Sequence, residues 1–476
     1  MTKKKSLINI SQKTFVQVVL LLAALMAVAI LMTYFVPRGE FGTLPDGSPD
    51  YLTYLPRADL GGIPLRQGLL APVLVFFSSD GLTLLMLSLF LITISAAFQV
   101  MNDVGGIRAL VGALSRRFQG RRNLLLVLIS FLFYCFGSFL GLFEEMLTMF
   151  PIVASLCVLM GLDSFTGFIC TILSCGFGFA SAITNPFTVL LASEIIGVNP
   201  MAKIWFRVLV FALMFPLLMA FLFRYIRRLE RDPSSSLTLR HDEAIRLAAE
   251  PAEESSAEQN GRERRIRLTY TVFLLGALAL IIVSSLLEAV RSYSVVLLIV
   301  YFLIGGPAAG CLATGDVRKV LRSFCGGLVS VLPTIVFIAM AASIKYIFDR
   351  GAILPTIVHQ INVLAEGRRP FQIALIIYLI VLALEFFISS STAKAILVMG
   401  LLSVVNVGLS KSMMVLLYTF ADGYTNVLFP TSPVLLISLS MIEMDYFAWI
   451  KKSAPLFLAN FLLVLAFIAF GVVIGY

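Results

Sequence analysis

The chain has 476 residues, of which 59% are hydrophobic and 13% charged, and its mean hydropathy is +0.97. A soluble domain carries about 25% charged residues, so this composition excludes a water-clothed globular fold. The net charge of +9 comes without an aromatic–basic motif, which sets nucleic-acid binding aside and leaves Lys and Arg gathered in the short cytoplasmic loops of a membrane protein.

Apolar blocks of about 20 residues, the length a helix needs to cross roughly 30 Å of hydrocarbon, recur along the chain. The first, Val16 to Val36, follows Lys3-Lys4-Lys5. Pro37-Arg38-Gly39-Glu40 does not resemble a small-residue cleavage site, so this block is read as an uncleaved helix with its lysine end in the cytoplasm. Residues 1–66 then form an N-terminal helix and an external loop. Further spans are expected at 81–101, 165–196, 204–225, 268–288, 294–313, 327–348, 412–442 and 454–475. Two more apolar blocks, 124–160 and 371–408, are interrupted by polar residues. Each is long enough for two half-depth helices, so both are predicted as re-entrant hairpins. Such backbone is tolerated at membrane depth only where protein or a water-filled cavity satisfies it.

Residues 226–266 are charged, Ser-rich and poor in aromatics, which predicts a mobile cytoplasmic linker. Residues 267–313 then supply two connecting helices. Arg108, Arg116, Arg117, Arg121 and Arg122 share one loop, Arg224 to Arg231 begin another, and Lys451-Lys452 mark a third. With non-crossing hairpins all three lie on the cytoplasmic side, and nine crossings put the C-terminus outside. Arg350, Arg368 and Arg369 run against that assignment.

The two halves repeat. Ala96-Ala97, Asp103 and Arg121-Arg122 correspond at a nearly constant displacement to Ala341-Ala342, Asp349 and Arg368-Arg369. A broken hairpin follows each Arg pair, and a span interrupted at Thr-Asn follows each hairpin: Thr184-Asn185 with Pro186, and Thr425-Asn426 with Pro430 and Pro433. Counting crossings, residues 67–225 and 314–476 enter from opposite sides, the inverted repeat of secondary transporters. The predicted fold is all-α and polytopic, with two inverted repeats, re-entrant helical hairpins and broken transmembrane helices.

The interruptions carry the candidate chemistry. A charge at bilayer depth costs roughly 2.5–3.5 kcal/mol on insertion scales, so Glu144 and Glu145 need a partner. That partner is a cation, a basic substrate group or backbone N–H groups; one of the two could instead cap the half-helix. Ser390, Ser391 and Thr392 provide a tight turn and hydroxyl ligands for a carboxylate or Na⁺. Lys394 either binds a substrate carboxylate or forms an ion pair with Glu385 or Asp422. Asn185 and Asn426 offer amide oxygens suited to Na⁺, or cap the helix breaks. Asp422 is placed to carry a coupling proton, coordinate Na⁺ or hold a cationic group, and Thr431 is a further ligand candidate in the second break. His241 and His359 are the only histidines and no Cys-x-x-Cys pair occurs, so neither a multi-His metal site, a zinc or disulfide framework, nor a Ser-His-Asp triad is expected. No resident cofactor is expected, only Na⁺ or H⁺ as a coupling ion.

FGSFLGLFEEML (136–147), ASAITNPFTV (180–189), SSSTAKAILVMGLL (389–402) and FADGYTNVLFPTSPVLL (420–436) resemble the C4-dicarboxylate anaerobic carrier family of the ion-transporter superfamily, in its YfcC-type branch. The Ser-Asn-Thr hairpin signature of the sodium–dicarboxylate relatives is replaced here by Glu144-Glu145 and Ser-Ser-Ser-Thr. The resemblance implies a homodimer in the bacterial inner membrane, in which scaffold helices hold a transport domain of hairpins and broken helices that moves elevator-fashion; a transporter rather than an enzyme is expected. It also implies an association with basic amino acids, including arginine–ornithine exchange. With Glu144, Glu145 and Asp422 acidic and Lys394 the single base, an amino acid substrate is expected, with a C4-dicarboxylate as the alternative. A non-transporting binding protein and a membrane enzyme are the remaining classes; no nucleophile supports the second.

Overall fold

A computed structural model of the chain describes residues 12–45, 49–57, 59, 61–79, 81–118, 120–249, 257–287, 293–330, 332–365, 367–388, 391–404 and 408–476. In the first half, α1 (Gln12–Phe35) leads to a hairpin of β1 (Gly39–Thr43) and β2 (Pro49–Pro56). There follow α2 (Leu65–Leu74), α3 (Gly81–Val104), α4 (Gly106–Arg117) and α5 (Arg122–Cys135). A π-helical turn, Phe136–Leu140, prolongs α5, and a 3₁₀ turn, Glu144–Thr148, precedes α6 (Phe150–Leu159). Then come α7 (Ser164–Ala180), α8 (Pro186–Ile196) and α9 (Ile204–Arg231). After α10 (Leu239–Ala249), the second half holds α11 (Ala257–Leu286), α12 (Ser294–Thr314), α13 (Val317–Ser330), α14 (Leu332–Arg350) and α15 (Leu354–Ala365). It ends with α16 (Pro370–Glu385), α17 (Ser391–Val404), α18 (Lys411–Thr425), α19 (Pro433–Met441) and α20 (Tyr446–Val473).

In hydrocarbon every backbone donor needs an internal partner, and a helix supplies one for each within a single segment. Among the described residues, seven helices are long and apolar enough to cross a membrane. The protein is an all-α, multi-pass membrane protein with, among the described residues, one small β-hairpin. Helix α9 shows the logic. Phe206, Val210, Met214, Leu218 and Leu222, one turn apart, are buried, while Trp205, Val208 and Leu213 stay exposed, as suits one protein-facing and one lipid-facing side.

The helices pack in two groups. In one, α3 lies against α12 and α13, α11 against α12 and α4, and α14 against α1 and α2. In the other, α7 packs on α5 and α18, α16 on α18 and α20, and α17 on α8. The groups meet where α4 touches α6, α15 touches α16, α14 touches α19, and β2 touches α17.

Most expected spans lie within a few residues of an observed helix or broken helix pair, with four differences. The first arm of the 124–160 block is not half-depth: Arg122–Leu140 is 19 residues long and apolar enough to cross, because the π turn carries the helix past Gly137. The expected 327–348 span divides into amphipathic α13, whose Val320 and Phe324 are buried against α3, and α14. The loop expected outside is partly ordered as the β-hairpin, with Tyr54 stacked on His359 at 4.3 Å and its hydroxyl 2.8 Å from Thr356 Oγ1. The expected mobile linker, 226–266, is helical over much of its described length and docked. Ser236 Oγ donates to Asp163 Oδ2 (3.0 Å), Thr238 Oγ1 and Ser164 Oγ donate to Asp242 (2.7 and 2.5 Å), and Arg246 donates to the Leu162 carbonyl (2.9 Å). Polar composition signalled solvation, whereas each of these polar groups has found a partner. Residues 250–256 of the linker lie outside the described residues. The cysteines form no disulfide; Cys157, Cys170 and Cys175 are buried, and Cys325 is exposed rather than in the core.

Candidate functional site

Both broken spans are observed, and each break is braced by its neighbours. Between α7 and α8 the chain leaves helical geometry at Ser181. Ser138, on the π turn after α5, donates from Oγ to the Ser181 carbonyl (3.0 Å), and its own carbonyl accepts the Ile183 N–H (3.1 Å). Asn185 caps α8: Oδ1 accepts the Phe187 N–H (2.9 Å), while Nδ2 donates to the Gly137 carbonyl (3.1 Å). These bonds replace the ladder that the break removes. Gly141 turns the chain after the π turn in the left-handed region at φ 68°, and a Cβ there would come within 2.6 Å of Asn185 Oδ1, so only glycine fits.

The second break, between α18 and α19, uses α20 instead. Trp449 Nε1 donates to the Val427 carbonyl and the Tyr446 hydroxyl to the Leu428 carbonyl, both at 3.0 Å. Asn426 Nδ2 donates to the Asp422 carbonyl (3.0 Å). The two broken spans cross at Gly423, where a Cβ would lie 2.0 Å from Ala180 Cα. A side chain there would push α18 off α7.

Beside this crossing sits a buried charge cluster. Lys394 on α17 is 0% exposed. Its Nζ lies 2.7 Å from Asp422 Oδ1 and forms a second ion pair with Glu385 Oε2. Ser391 Oγ donates to Asp422 Oδ2 (2.7 Å), the Tyr418 hydroxyl donates to the Ser391 carbonyl, and Thr425 Oγ1 donates to Glu385 Oε2 (3.4 Å). Lys394 is therefore an ion-pair residue with both of its alternative partners. The Asp422 contact is a charge contact without hydrogen-bond alignment.

The Glu144–Thr148 turn packs against α19, and Glu144 lies within electrostatic range of Asp422. Glu145 is buried, whereas Glu144 has exposed surface. Glu145 Oε2 and Glu385 Oε1 have no hydrogen-bond partner among the described residues. Two carboxylates thus hold one ammonium, with Glu144, in range of Asp422, and its neighbour Glu145 adding further acidic groups, an arrangement that attracts cationic groups, protons or metal cations.

The structure brings Glu144, Glu145, Ser391, Lys394 and Asp422 to one region, with buried Thr431 and half-buried Asn426 in the break beside it. Asn185 is 0% exposed and engaged on both sides of its amide, so it serves as a cap and brace. Ser390 lies outside the described residues, as does the side chain of Thr392. Glu385, anticipated only as an alternative partner of Lys394, belongs to the cluster. Arg207 on α9 was missed: it is 2% exposed, and its guanidinium reaches toward the Ala182 carbonyl (3.5 Å) in the first break and interacts with Tyr476. A lone arginine inside an apolar span was the available signal.

YfcC of Escherichia coli (strain K12), named provisionally as a basic amino acid antiporter, is 25% identical over 381 residues, covering 77% of this chain and 74% of the relative. An uncharacterized protein of Haemophilus influenzae is 23% identical over 376 residues, covering 77% and 71%. Among solved structures, the YdaH transporter of Alcanivorax borkumensis aligns over 97% of this chain and 98% of its own at 16% identity, with a TM-score of 0.42. MtrF of Neisseria gonorrhoeae, described as one of a class of antimetabolite efflux pumps, aligns over 96% and 94% at a TM-score of 0.39. The family model for the C4-dicarboxylate anaerobic carriers matches residues 15–473, and the chain belongs to that family of membrane transporters.

Proposed function

We propose that this protein is a secondary carrier that moves a small charged solute by elevator-type displacement of the helix group containing both broken spans. The observation that carries the reading is the buried Glu385–Lys394–Asp422 cluster beside two braced helix breaks, with Glu144 exposed at its edge. Buried charge of this kind is costly in a membrane, and discontinuous helices facing each other near the midplane are the usual setting of a transported solute and its coupling ion. The 371–408 block acts as a re-entrant hairpin, and the 124–160 block, with its longer first arm Arg122–Leu140, takes the corresponding place in the other inverted repeat. The group built on α3, α12, α13 and α14 is the scaffold, and a homodimer joined through the scaffold is the proposed assembly.

Family membership supports a C4-dicarboxylate as the solute. Because Lys394 is already held by two carboxylates, a dianion would enter this site together with protons or Na⁺ that neutralise the acidic groups. A second reading, a basic amino acid of the arginine or ornithine kind, is favoured by the excess of carboxylates over ammonium groups and by the name of the YfcC relative. Contacts support the proposed sidedness. Lys203 and Ser410 both reach the C-terminal residues Gly475 and Tyr476, while Asp163, Tyr225 and the 232–249 segment meet at another face. The first face is assigned to the outside and the second, with the N-terminus, to the cytoplasm.

Uptake of radiolabelled succinate, fumarate, arginine and ornithine into proteoliposomes, under imposed Na⁺ or H⁺ gradients, tests the proposal. Gradient-driven succinate or fumarate flux supports the first reading, and arginine–ornithine exchange the second. Flux of none of these under any gradient counts against both.

A further inference from the structure

We propose that a cleft at the charged end of α11 and α12 binds the phosphate-bearing headgroup of an anionic lipid. The cleft encloses about 580 Å³, and Arg262, Arg265, Thr314, Asp316 and Lys319 line it. It lies apart from the charge cluster and depends only on the protein being a membrane protein.

The sequence builds the cleft from two directions. Arg262 and Arg265 are three residues apart on α11, so they share a face. The chain leaves α12 through a turn at Gly315 (φ 75°), and Asp316 immediately precedes α13, which begins at Val317. The Asp316 N–H donates to Thr314 Oγ1 (3.3 Å), and its Oδ1 accepts the Lys319 N–H (3.0 Å). That capping arrangement fixes the corner and holds Lys319 in the first turn of α13. Three cationic side chains therefore meet one carboxylate across the opening.

Below the cationic rim the surface is apolar. Leu268, one turn further along α11 from Arg265, is 65% exposed; Leu312 on α12 is 62% exposed. Helix α13 holds Val320 and Phe324 against α3 while leaving Leu321 and the charges of Arg318, Lys319 and Arg322 outward. A soluble anion would use only the rim. A lipid with a phosphate uses the rim for its headgroup and the leucines for its acyl chains, and each Lys or Arg near an anionic headgroup adds favourable energy.

The test uses the full-length protein in detergent, with lipid retention measured by native mass spectrometry. Wild type should retain phosphatidylglycerol about tenfold better than phosphatidylcholine. R262Q/R265Q/K319Q should lose that preference. R224Q/R227Q/R231Q, which removes three exposed charges from α9, should keep it, as should R262K/R265K. Inorganic phosphate at about 10 mM should not displace the lipid. Equal retention of both lipids by wild type, equal loss in both glutamine triple variants, or displacement by inorganic phosphate would each overturn the assignment; the last would indicate a soluble anion site. Should the site variant fail to fold, the wild-type lipid comparison, the phosphate competition and the lysine-for-arginine variant still decide the matter.

Discussion

Replacing Lys394 with Met keeps the length and apolar stem of the side chain and deletes the ammonium. Glu385 and Asp422 would then remain 3% and 0% exposed, with only the Ser391 and Thr425 hydroxyls still donating to their carboxylates. Removing one partner of a buried ion pair costs about 3–5 kcal/mol. One cation serves two carboxylates here, so the upper part of that range applies. With an unfolding entropy of about 2.1 cal/mol/K per residue, each kcal/mol moves the Tm of a 476-residue chain by about 1 °C, giving an expected fall of about 4–5 °C in a detergent thermal-unfolding assay. Neutralising the partners as well, in K394M/E385Q/D422N, should recover at least half of the loss, because no uncompensated charge is left buried. Transport should be absent in both variants. A single variant within about 1 kcal/mol of wild type, or a triple variant whose losses simply add, would refute the picture of a mutually dependent cluster.

Three further outcomes follow from the same packing. Gly423→Ala should lower stability by about 1–3 kcal/mol, the usual cost of overpacking a tight contact, seen as a lower Tm and a loss of monodispersity; wild-type behaviour would mean the spans do not cross so closely. Asn185→Ala should cost about 1–3 kcal/mol, since it removes a helix cap and leaves the Gly137 carbonyl without its donor, and flux should fall with it. Asp242 in the docked linker has its pKa pushed up to about 6 by burial and the nearby Asp163, against the lowering effect of bonds from Ser164 and Thr238. A raised carboxyl pKa means that docking is strongest with the group protonated. Docking should therefore weaken as pH rises from about 4 through 6, by up to about 3 kcal/mol, and level off above. Hydrogen exchange over 236–249, corrected for intrinsic rates, should show greater protection at pH 5 than at pH 7.5, and Asp242→Asn should remove the difference.

The spans were legible because lipid enforces long apolar blocks, and the interruptions because Glu144-Glu145, Lys394 and the two Thr-Asn steps stand out against such blocks. What remained hidden depends on tertiary partners. Nothing local distinguishes the linker's Ser236, Thr238 and Asp242 from solvated residues; they are held only because Asp163 and Ser164 come to meet them. The β-hairpin packs through Tyr54 on His359, a partner some three hundred residues away. Arg207 carried a visible signal in an otherwise apolar span, but its role as a brace for the first break appears only when Ala182 and Tyr476 are placed around it. The double pairing of Lys394 likewise required α16, α17 and α18 to be brought together.

The most direct measurement is a cryo-EM map of the wild-type protein in nanodiscs, prepared with a saturating concentration of whichever solute the liposome assay shows to be carried. The expected result is added density between the Glu144–Thr148 turn and the second helix break, within hydrogen-bond reach of Glu144, Glu145, Ser391 or Asp422. Density for the carried solute elsewhere, with these side chains unmoved and unengaged, would contradict the assignment of the cluster as the transport site.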